Sequence, residues 1–425
     1  MHKVSATSAV PRAYEKQIPV HPATIAATLY TSLYTQVSNI FLVLGSLFSQ
    51  STTGLPNKAT VGAPSAEPER PVPDAIKPRP AAPPAKIEPP RQPVNKQLTT
   101  SRFSGELFEG FDPCKNLDAH KKYIVQKALG RWKELNLTCD YTIEKFQDNS
   151  DFTLKPNKIP AYFNRLIEIP TEMPEIEYTS GYYDYIGSPL EHIKSFFVNF
   201  ANKYLGGGVL GKGFVQEEIM MLQTPDMFTA LFHRPGHRTR VAGEGALQGS
   251  PAPLIFNGVH RVLEIDNCLY GHGLYNTTPL EIEKQNLVRV LENAVEFNSL
   301  AIAAPILRDK TPELQFHLNT ICDIINTVYA GFFLAIMSAA NESKGCFIGS
   351  GLFGCGAFNN NPILVICIKI LIAHCLGAQL KLYGVSEEQM QTAREVWRSA
   401  FGAGMHRPCI VSAAIHLNEA LRSYT

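Results

Sequence analysis

The sequence carries almost no net charge. Against 39 Lys and Arg stand 38 Asp and Glu, a balance of +1 over 425 residues. That excludes a polybasic protein that grips nucleic acid by neutralising phosphates, and equally an acidic solvating tail. The nine cysteines include no C-x-x-C pair. This argues against a disulfide framework and a clustered zinc site, and it points to an intracellular, reducing compartment such as the cytoplasm. Between Gln17 and Asn57 there is no Asp, Glu, Lys or Arg, and between Glu342 and Glu387 there is no acid.

What is present is unevenly placed. Twelve of the 30 prolines fall between Pro56 and Pro93. Proline cannot donate to a helix or a sheet, so residues 55–98 read as an extended, disordered linker. Residues 1–54 before it form a separate segment. There Ala26, Leu29, Leu33, Val37, Ile40, Leu44 and Phe48 recur at helical spacing opposite Thr28, Ser32, Thr35 and Asn39. This reads as an amphipathic targeting segment with membrane or organelle contact through residues 25–48, or as a helix that docks back on the body. With 45% hydrophobic residues, the remainder is long enough for a sizeable core. We expect a helical accessory region over 99–185 and a catalytic core over 186–425.

Within the body the apolar pattern changes period. Asp112-Pro113 reads as an N-cap and first helical residue, opening a helix to about Leu135. Residues 138–185 show few clear periods. Ser195–Tyr204 and Leu300–Leu307 read as buried strands, and Cys346–Ser350 and Leu380–Val385 as shorter ones. Thr311-Pro312-Glu313 opens a helix to about Ala340, Pro362 another to about Leu376, and Ser386 a third. The uncharged run Ile324–Asn341 holds Asn326 and Thr327, and Ile363–Leu376 is short and holds Lys369 and His374. Both are expected as buried core helices, not membrane spans. Strands alternating with helices predict an α/β sheet with helices on both faces.

Two glycine-rich segments each follow a strand and precede a helix. The first runs Asn202-Lys203-Tyr204-Leu205-Gly206-Gly207-Gly208 to Gln216-Glu217-Glu218, and the second runs Gly349-Ser350-Gly351-Leu352-Phe353-Gly354-Cys355-Gly356-Ala357-Phe358. Glycine lets backbone N–H groups approach an anion, and a helix N-terminus adds positive potential, so two such loops suit a diphosphate. Gly206–Lys212 fits a P-loop spacing, but Gly213 stands where Mg²⁺ requires Ser or Thr. Gly349–Gly354 fits G-x-G-x-x-G, but the acid-free stretch after it lacks the ribose-binding carboxylate of a dinucleotide fold. Adjacent acids at a helix start commonly serve the helix dipole. Here they also follow a candidate phosphate loop. A carboxylate beside another carboxylate and an anionic ligand is expected to hold a proton, as a general acid requires. Cys355 has no histidine placed beside it and reads as a small residue packed under the turn. His233 and His237 are separated by Pro235-Gly236, and with Arg234, Arg238 and Arg240 they read as a solvated basic loop.

The triple glycine, seven intervening residues and Gln-Glu-Glu resemble the signature of the poly(ADP-ribose) glycohydrolases, the catalytic macrodomain family. The likeness extends over Phe200–Tyr204 and Ile219, over Gly354–Phe358, and over Tyr329-Ala330-Gly331-Phe332, and it spans roughly residues 110–400. The resemblance implies a macrodomain-like three-layer α/β/α sheet with an N-terminal helical extension, and no metal or cofactor. It implies Glu218 as the catalytic acid/base, with Glu217 and Asn202 holding hydroxyls of the ribose. Gly206, Gly207 and Gly208 would line the diphosphate and ribose. Gly354, Gly356, Ala357 and Phe358 would clamp the diphosphate, with Gln216 and Cys355 completing the ligand-lining set.

Three departures from the family pattern stand out. Leu352 replaces an Asn, Asn359-Asn360-Asn361 replaces Gly-Gly-Asp, and no Tyr occurs between Tyr204 and Tyr270, where the family carries tyrosines against the adenosine. The implied activity is cleavage of the ribose C1″ glycosidic bond of ADP-ribosylated proteins, with poly(ADP-ribose) or a single arginine-linked ADP-ribose as substrate and ADP-ribose as product. The alternative is an ADP-ribose reader without turnover.

Overall fold

Strands that are apolar on both faces require cover on both. The strand at the centre of this protein is of that kind. In Ile193–Ala201, Phe196 and Val198 face one core while Phe197 and Ala201 face the other, all at most 1% exposed. The computed structural model describes residues 97–424 apart from 109, 149–162, 164–165, 233–238, 242–250, 309–310 and 403–407. The readings made for the N-terminal segment, for most of the proline linker and for His233–Arg238 lie outside the described residues.

In chain order the elements are β1 (Leu98–Gly105), α1 (Ala119–Glu134), β2 (Cys139–Phe146), β3 (Glu177–Thr179), β4 (Ile193–Ala201), α2 (Gln216–Gln223), α3 (Pro225–Thr229), β5 (Leu254–Ile265), α4 (Gly273–Asn276), α5 (Pro279–Lys284), β6 (Val288–Ala303), α6 (Leu318–Asn341), β7 (Gly345–Gly351), α7 (Pro362–Leu376), β8 (Gln379–Tyr383), α8 (Glu387–Phe401) and α9 (Ile410–Arg422). The strands form one sheet in the order β1-β2-β5-β6-β4-β7-β8-β3. Pairing is antiparallel from β1 to β6 and parallel from β6 through β4, β7 and β8 to β3. Helices α6 to α9 pack on one face, and α1 to α3 on the other. The three layers and the mixed α/β class agree with the sequence reading.

Local chemistry sets several boundaries. Asn361 caps α7 by accepting from the Leu364 N–H at 3.1 Å, Pro362 occupies its first turn, and Gly377 ends it at φ 71°. These are the start and stop signals of a short helix. Ser386 and Gln389 form a capping box at α8. The apolar α6 is long enough to cross a membrane, but 78% of its apolar window is buried in the protein. At Gly331 an added Cβ would stand 2.4 Å from Ile302 Cγ2, so α6 lies directly on β6 at that point.

Other boundaries differ from the sequence reading. Asp112 closes only a turn, with its carboxylate on the Cys114 N–H at 2.9 Å. The helix starts after Asp118, which accepts from the His120 and Lys121 N–H groups at 3.0 and 3.1 Å. Both sites have cap chemistry, and the second register puts Ile124, Val125, Ala128 and Trp132 in the core. Among the described residues of 99–185, the expected helical extension is this one helix between two strands of the antiparallel end of the sheet. Helix α6 starts at Leu318, because Pro312–Phe316 closes as a separate tight helical turn.

Candidate active site

Open parallel sheets bind ligands beyond the carboxyl ends of their strands. Here the ends of the neighbouring strands β4 and β7 carry the two glycine loops. The first loop leaves β4 and returns into α2, whose opening residues are Gln216, Glu217 and Glu218. Glu217 accepts from the N–H groups of Asn202 at 2.9 Å and Gly206 at 2.7 Å. Glu218 accepts from Gly208 at 2.7 Å and reaches back to its own N-cap, Val215, at 2.8 Å. Both acids are buried, 2% and 4% exposed. At Gly207, φ is +45° and a Cβ would stand 2.4 Å from Glu217 and 2.7 Å from Glu218. Only glycine fits between the two carboxylates there.

The carbonyl side of this loop is organised by a residue the sequence did not flag. Lys121 of α1 is fully buried, and its ammonium donates to the carbonyls of Gly208, Val209, Gly211 and Gly213 at 2.9, 3.0, 2.7 and 2.5 Å. An ammonium has three N–H bonds, so four acceptors share them. Burial lowers its pKa to about 8 against the opposing pull of Glu218 and Asp118. The loop is thus strung between a buried cation that takes its carbonyls and two buried acids that take its amides. This corrects the expectation that Gly206, Gly207 and Gly208 offer N–H groups to a phosphate. The Gly207 N–H is also used, on the Tyr204 carbonyl at 3.2 Å.

The second loop is built the opposite way. The N–H groups of Phe353 and Cys355 turn inward to the carbonyls of Gly351 and Leu352 at 2.8 and 3.1 Å. Those of Gly354, Gly356, Ala357 and Phe358 have no acceptor among the described residues. Gly354 has φ +73°, and a Cβ there would lie 2.4 Å from that of Ala304. Gly356 and Ala357 are exposed. Free amides on a glycine turn form a concave anion site.

The family departures keep this shape. Asn359 sits at φ 61°, a left-handed conformation that Asn tolerates after Gly. The buried Asn360 closes the turn by donating to the carbonyls of Pro305 at 2.8 Å and Gly354 at 3.0 Å, and Asn361 is the cap of α7. Beneath the loop Lys369 is fully buried and donates to Ser350 Oγ at 2.7 Å and the Gly351 carbonyl at 2.5 Å.

Two residues of the expected ligand set are otherwise engaged. The Gln216 side chain accepts from the Phe200 N–H at 2.7 Å and donates to the Val198 carbonyl at 3.2 Å, which commits it to β4. The Cys355 thiol points to the Phe353 carbonyl at 3.7 Å, and burial pushes its pKa up to about 12. Its place is under the turn. Asn202 keeps a half-buried side chain, while its backbone holds Glu217. Of the basic residues expected near the site, Arg240 is brought beside the first loop, where Thr239–Val241 pair with Lys203–Leu205.

Two tyrosines from other segments stand beside the loops. Tyr270 takes a hydrogen bond from the Gln216 backbone, and its hydroxyl lies 3.9 Å from the Cβ position of Gly356. It therefore spans from the start of α2 to the second loop. Tyr182, from the segment before β4, lies against it at 6.0 Å between ring centroids. Behind them is a 330 Å³ cavity lined also by Tyr183, Gln216, Gln223 and Arg261. A larger cavity of 510 Å³ lies at the opposite end of β4. Each of its cations meets an acid, Lys194 and Lys344 sharing Glu342 at 2.5 and 3.0 Å and Arg102 holding Asp140 at 2.6 Å, and Glu296 adds a further negative charge to the lining.

Residues 188–236, which hold the first loop and α2, match the family described as poly(ADP-ribose) glycohydrolase (PARG), macro domain fold. Poly(ADP-ribose) glycohydrolase 1 of Caenorhabditis elegans is 26% identical over 195 residues, 45% of this chain and 23% of that protein. Poly(ADP-ribose) glycohydrolase 2 of the same organism is 26% identical over 175 residues, 41% of this chain and 34% of that protein. The chain thus spans about a quarter and about a third of the length of these relatives. A crystal structure of the Deinococcus radiodurans poly(ADP-ribose) glycohydrolase in complex with ADP-ribose aligns at 15% identity and a TM-score of 0.33, covering 50% of this chain and 78% of that one. The acid pair in its glycine cradle lies inside the matched segment, so over residues 188–236 the chain is similar to the poly(ADP-ribose) glycohydrolase family with the macro domain fold.

Proposed function

We propose that the protein is an ADP-ribose glycohydrolase acting on ADP-ribosylated proteins or on poly(ADP-ribose). The observation that carries this reading is Glu218, a buried carboxylate held by the N–H groups of Gly208 and Val215. Each oxygen accepts one N–H and keeps a second lone pair, so the group is oriented and still able to carry a proton.

In the proposed reaction the diphosphate rests on the free amides of Gly354, Gly356, Ala357 and Phe358. The base enters the aromatic cavity behind Tyr182 and Tyr270, and the terminal ribose lies against the acids with Glu217 and Asn202 near its hydroxyls. Glu218 donates its proton as the bond between C1″ and the leaving atom breaks, and the bonding electron pair leaves with that atom. The oxocarbenium-like sugar is then attacked by water, which returns a proton to Glu218.

The test is Glu218→Gln. ADP-ribose binding is expected to persist, and release of ADP-ribose from modified protein to fall about 10²–10⁴-fold. Retained hydrolysis would remove Glu218 from this role. Binding without release by the wild-type protein, across polymer and arginine-, serine- and glutamate-linked substrates, would make the protein a reader. We further propose that residues 1–54, through the amphipathic stretch 25–48, address the enzyme to a membrane or organelle surface. Unchanged location after their deletion would refute that.

A further inference from the structure

Lys369 is a buried cation without a counter-ion. It stands on α7, an apolar helix, and is fully buried. Its polar partners are the Ser350 hydroxyl and the Gly351 carbonyl. The rings of Phe353 and Phe200 complete the cage, with centroids 4.7 and 5.3 Å from Nζ. Among the described residues the electrostatic neighbour is the Cys355 thiol, which burial keeps protonated at neutral pH. Among the described residues the titratable group from β7 and its loop is thus Cys355, β4 contributes Phe200, and α6, α8, α9 and β8 add no charge that shifts it.

Compare the two other buried lysines. Lys194 is paired with Glu342. Lys121 has four carbonyls and lies in the field of Glu218 and Asp118. Lys369 has neither arrangement. A buried unpaired ammonium is costly, and an uncharged side chain could fill an apolar cage more cheaply. Its position gives the charge a use. It anchors the last carbonyl of β7, and the run of free amides begins three residues later, at Gly354.

We propose that Lys369 is a positioning residue of the anion site: its ammonium fixes the base of the second loop, and a diphosphate bound on that loop serves as its counter-ion. This rests on the diphosphate reading above. Anion binding then draws a proton from the buffer onto Lys369 in the fraction of molecules where the amine is neutral. That fraction is appreciable because burial lowers the pKa to about 7. The diphosphate diester itself has no proton to exchange near neutrality, so uptake reports on the protein.

The experiment is calorimetric titration of the full chain with ADP-ribose at pH 8, in buffers of different ionisation enthalpy. The wild-type protein should take up a substantial fraction of a proton, and its affinity should fall about tenfold from pH 6 to pH 9. Lys369→Met should bind about tenfold more weakly at pH 6 and take up no proton at pH 8. Lys369→Arg, permanently charged, should restore affinity without uptake. Glu218→Gln removes the other group able to take a proton beside the anion, and should leave the uptake intact, which keeps the test valid if the Lys369 variants do not fold. Binding by wild type without uptake, or uptake abolished by Glu218→Gln, overturns the role of Lys369 alone. Equal affinity and uptake in Lys369→Met does the same. Failure of the wild-type protein to bind ADP-ribose at any pH overturns the diphosphate reading along with it.

Discussion

Three charges inside the protein divide one loop between them. Lys121 holds the carbonyls of residues 208–213, while Glu217 and Glu218 hold amides of residues 202–215. Removing the cation strands four carbonyls and leaves Glu218 without a balancing charge nearby. Lys121→Met should cost about 3–5 kcal/mol of stability, the usual cost of breaking a buried charged arrangement, with loss of hydrolysis. Denaturant unfolding and turnover assays check both. The acids were legible in the sequence because the family signature places them in one short window. Lys121 was not, because it lies 87 residues before Gly208 and reaches it only through the tertiary fold. Lys369 was visible merely as a blemish in an apolar helix. The pH dependence follows with its sign. Burial lowers the pKa of Lys369 to about 7 and of Lys121 to about 8, below the ordinary lysine value, so the unfolded chain binds more protons above pH 7. Their penalty is fully present below pH 7 and is relieved as pH rises. Between pH 7 and 8.5 unfolding free energy should therefore gain about 1–2 kcal/mol from Lys369. The measurement is the slope of the wild-type protein minus that of Lys369→Met.

The two glycine loops look alike in sequence and do different work. In the first, the amides of Gly206, Gly207 and Gly208 are all consumed within the protein. In the second, four amides remain open. Glycine content alone could not separate the cases, because what differs is where each peptide points. Gly207→Ala tests the first loop. The Cβ would meet both carboxylates below 3 Å in a left-handed conformation, so hydrolysis should fall at least tenfold, with the macro domain still folded by circular dichroism. Of the strands, the buried runs at β4, β7 and β8 were legible as apolar blocks. The antiparallel strand β5 and the first half of β6 were not. Their alternation is broken by register shifts at Phe256/Val259 and Arg261/Leu263, with Gly258 at φ +71°. The exposed start of β6 also dilutes its apolar signal.

The described part of the chain places its candidate ligand chemistry at the carboxyl ends of two interior strands rather than on a charged surface. With a net charge of +1, attraction for an anion depends on oriented amides and one buried ammonium. Binding should therefore weaken only modestly with added salt, by less than about threefold between 50 and 300 mM, since few surface charges are screened. The proline-rich sequence of residues 55–98 reads as a linker, so deletion of residues 1–96 should leave turnover within about twofold while the cellular location changes, as expected for a body that folds on its own. The central claim is a division of labour, with acids held by the first loop and the diphosphate held by the second. A crystal structure of the Glu218→Gln protein with ADP-ribose tests it most directly. The account predicts diphosphate oxygens on the N–H groups of Gly354, Gly356, Ala357 and Phe358, and the terminal ribose C1″ beside residue 218. A diphosphate bound to the amides of Gly206, Gly207 and Gly208, with the second loop empty, would contradict it.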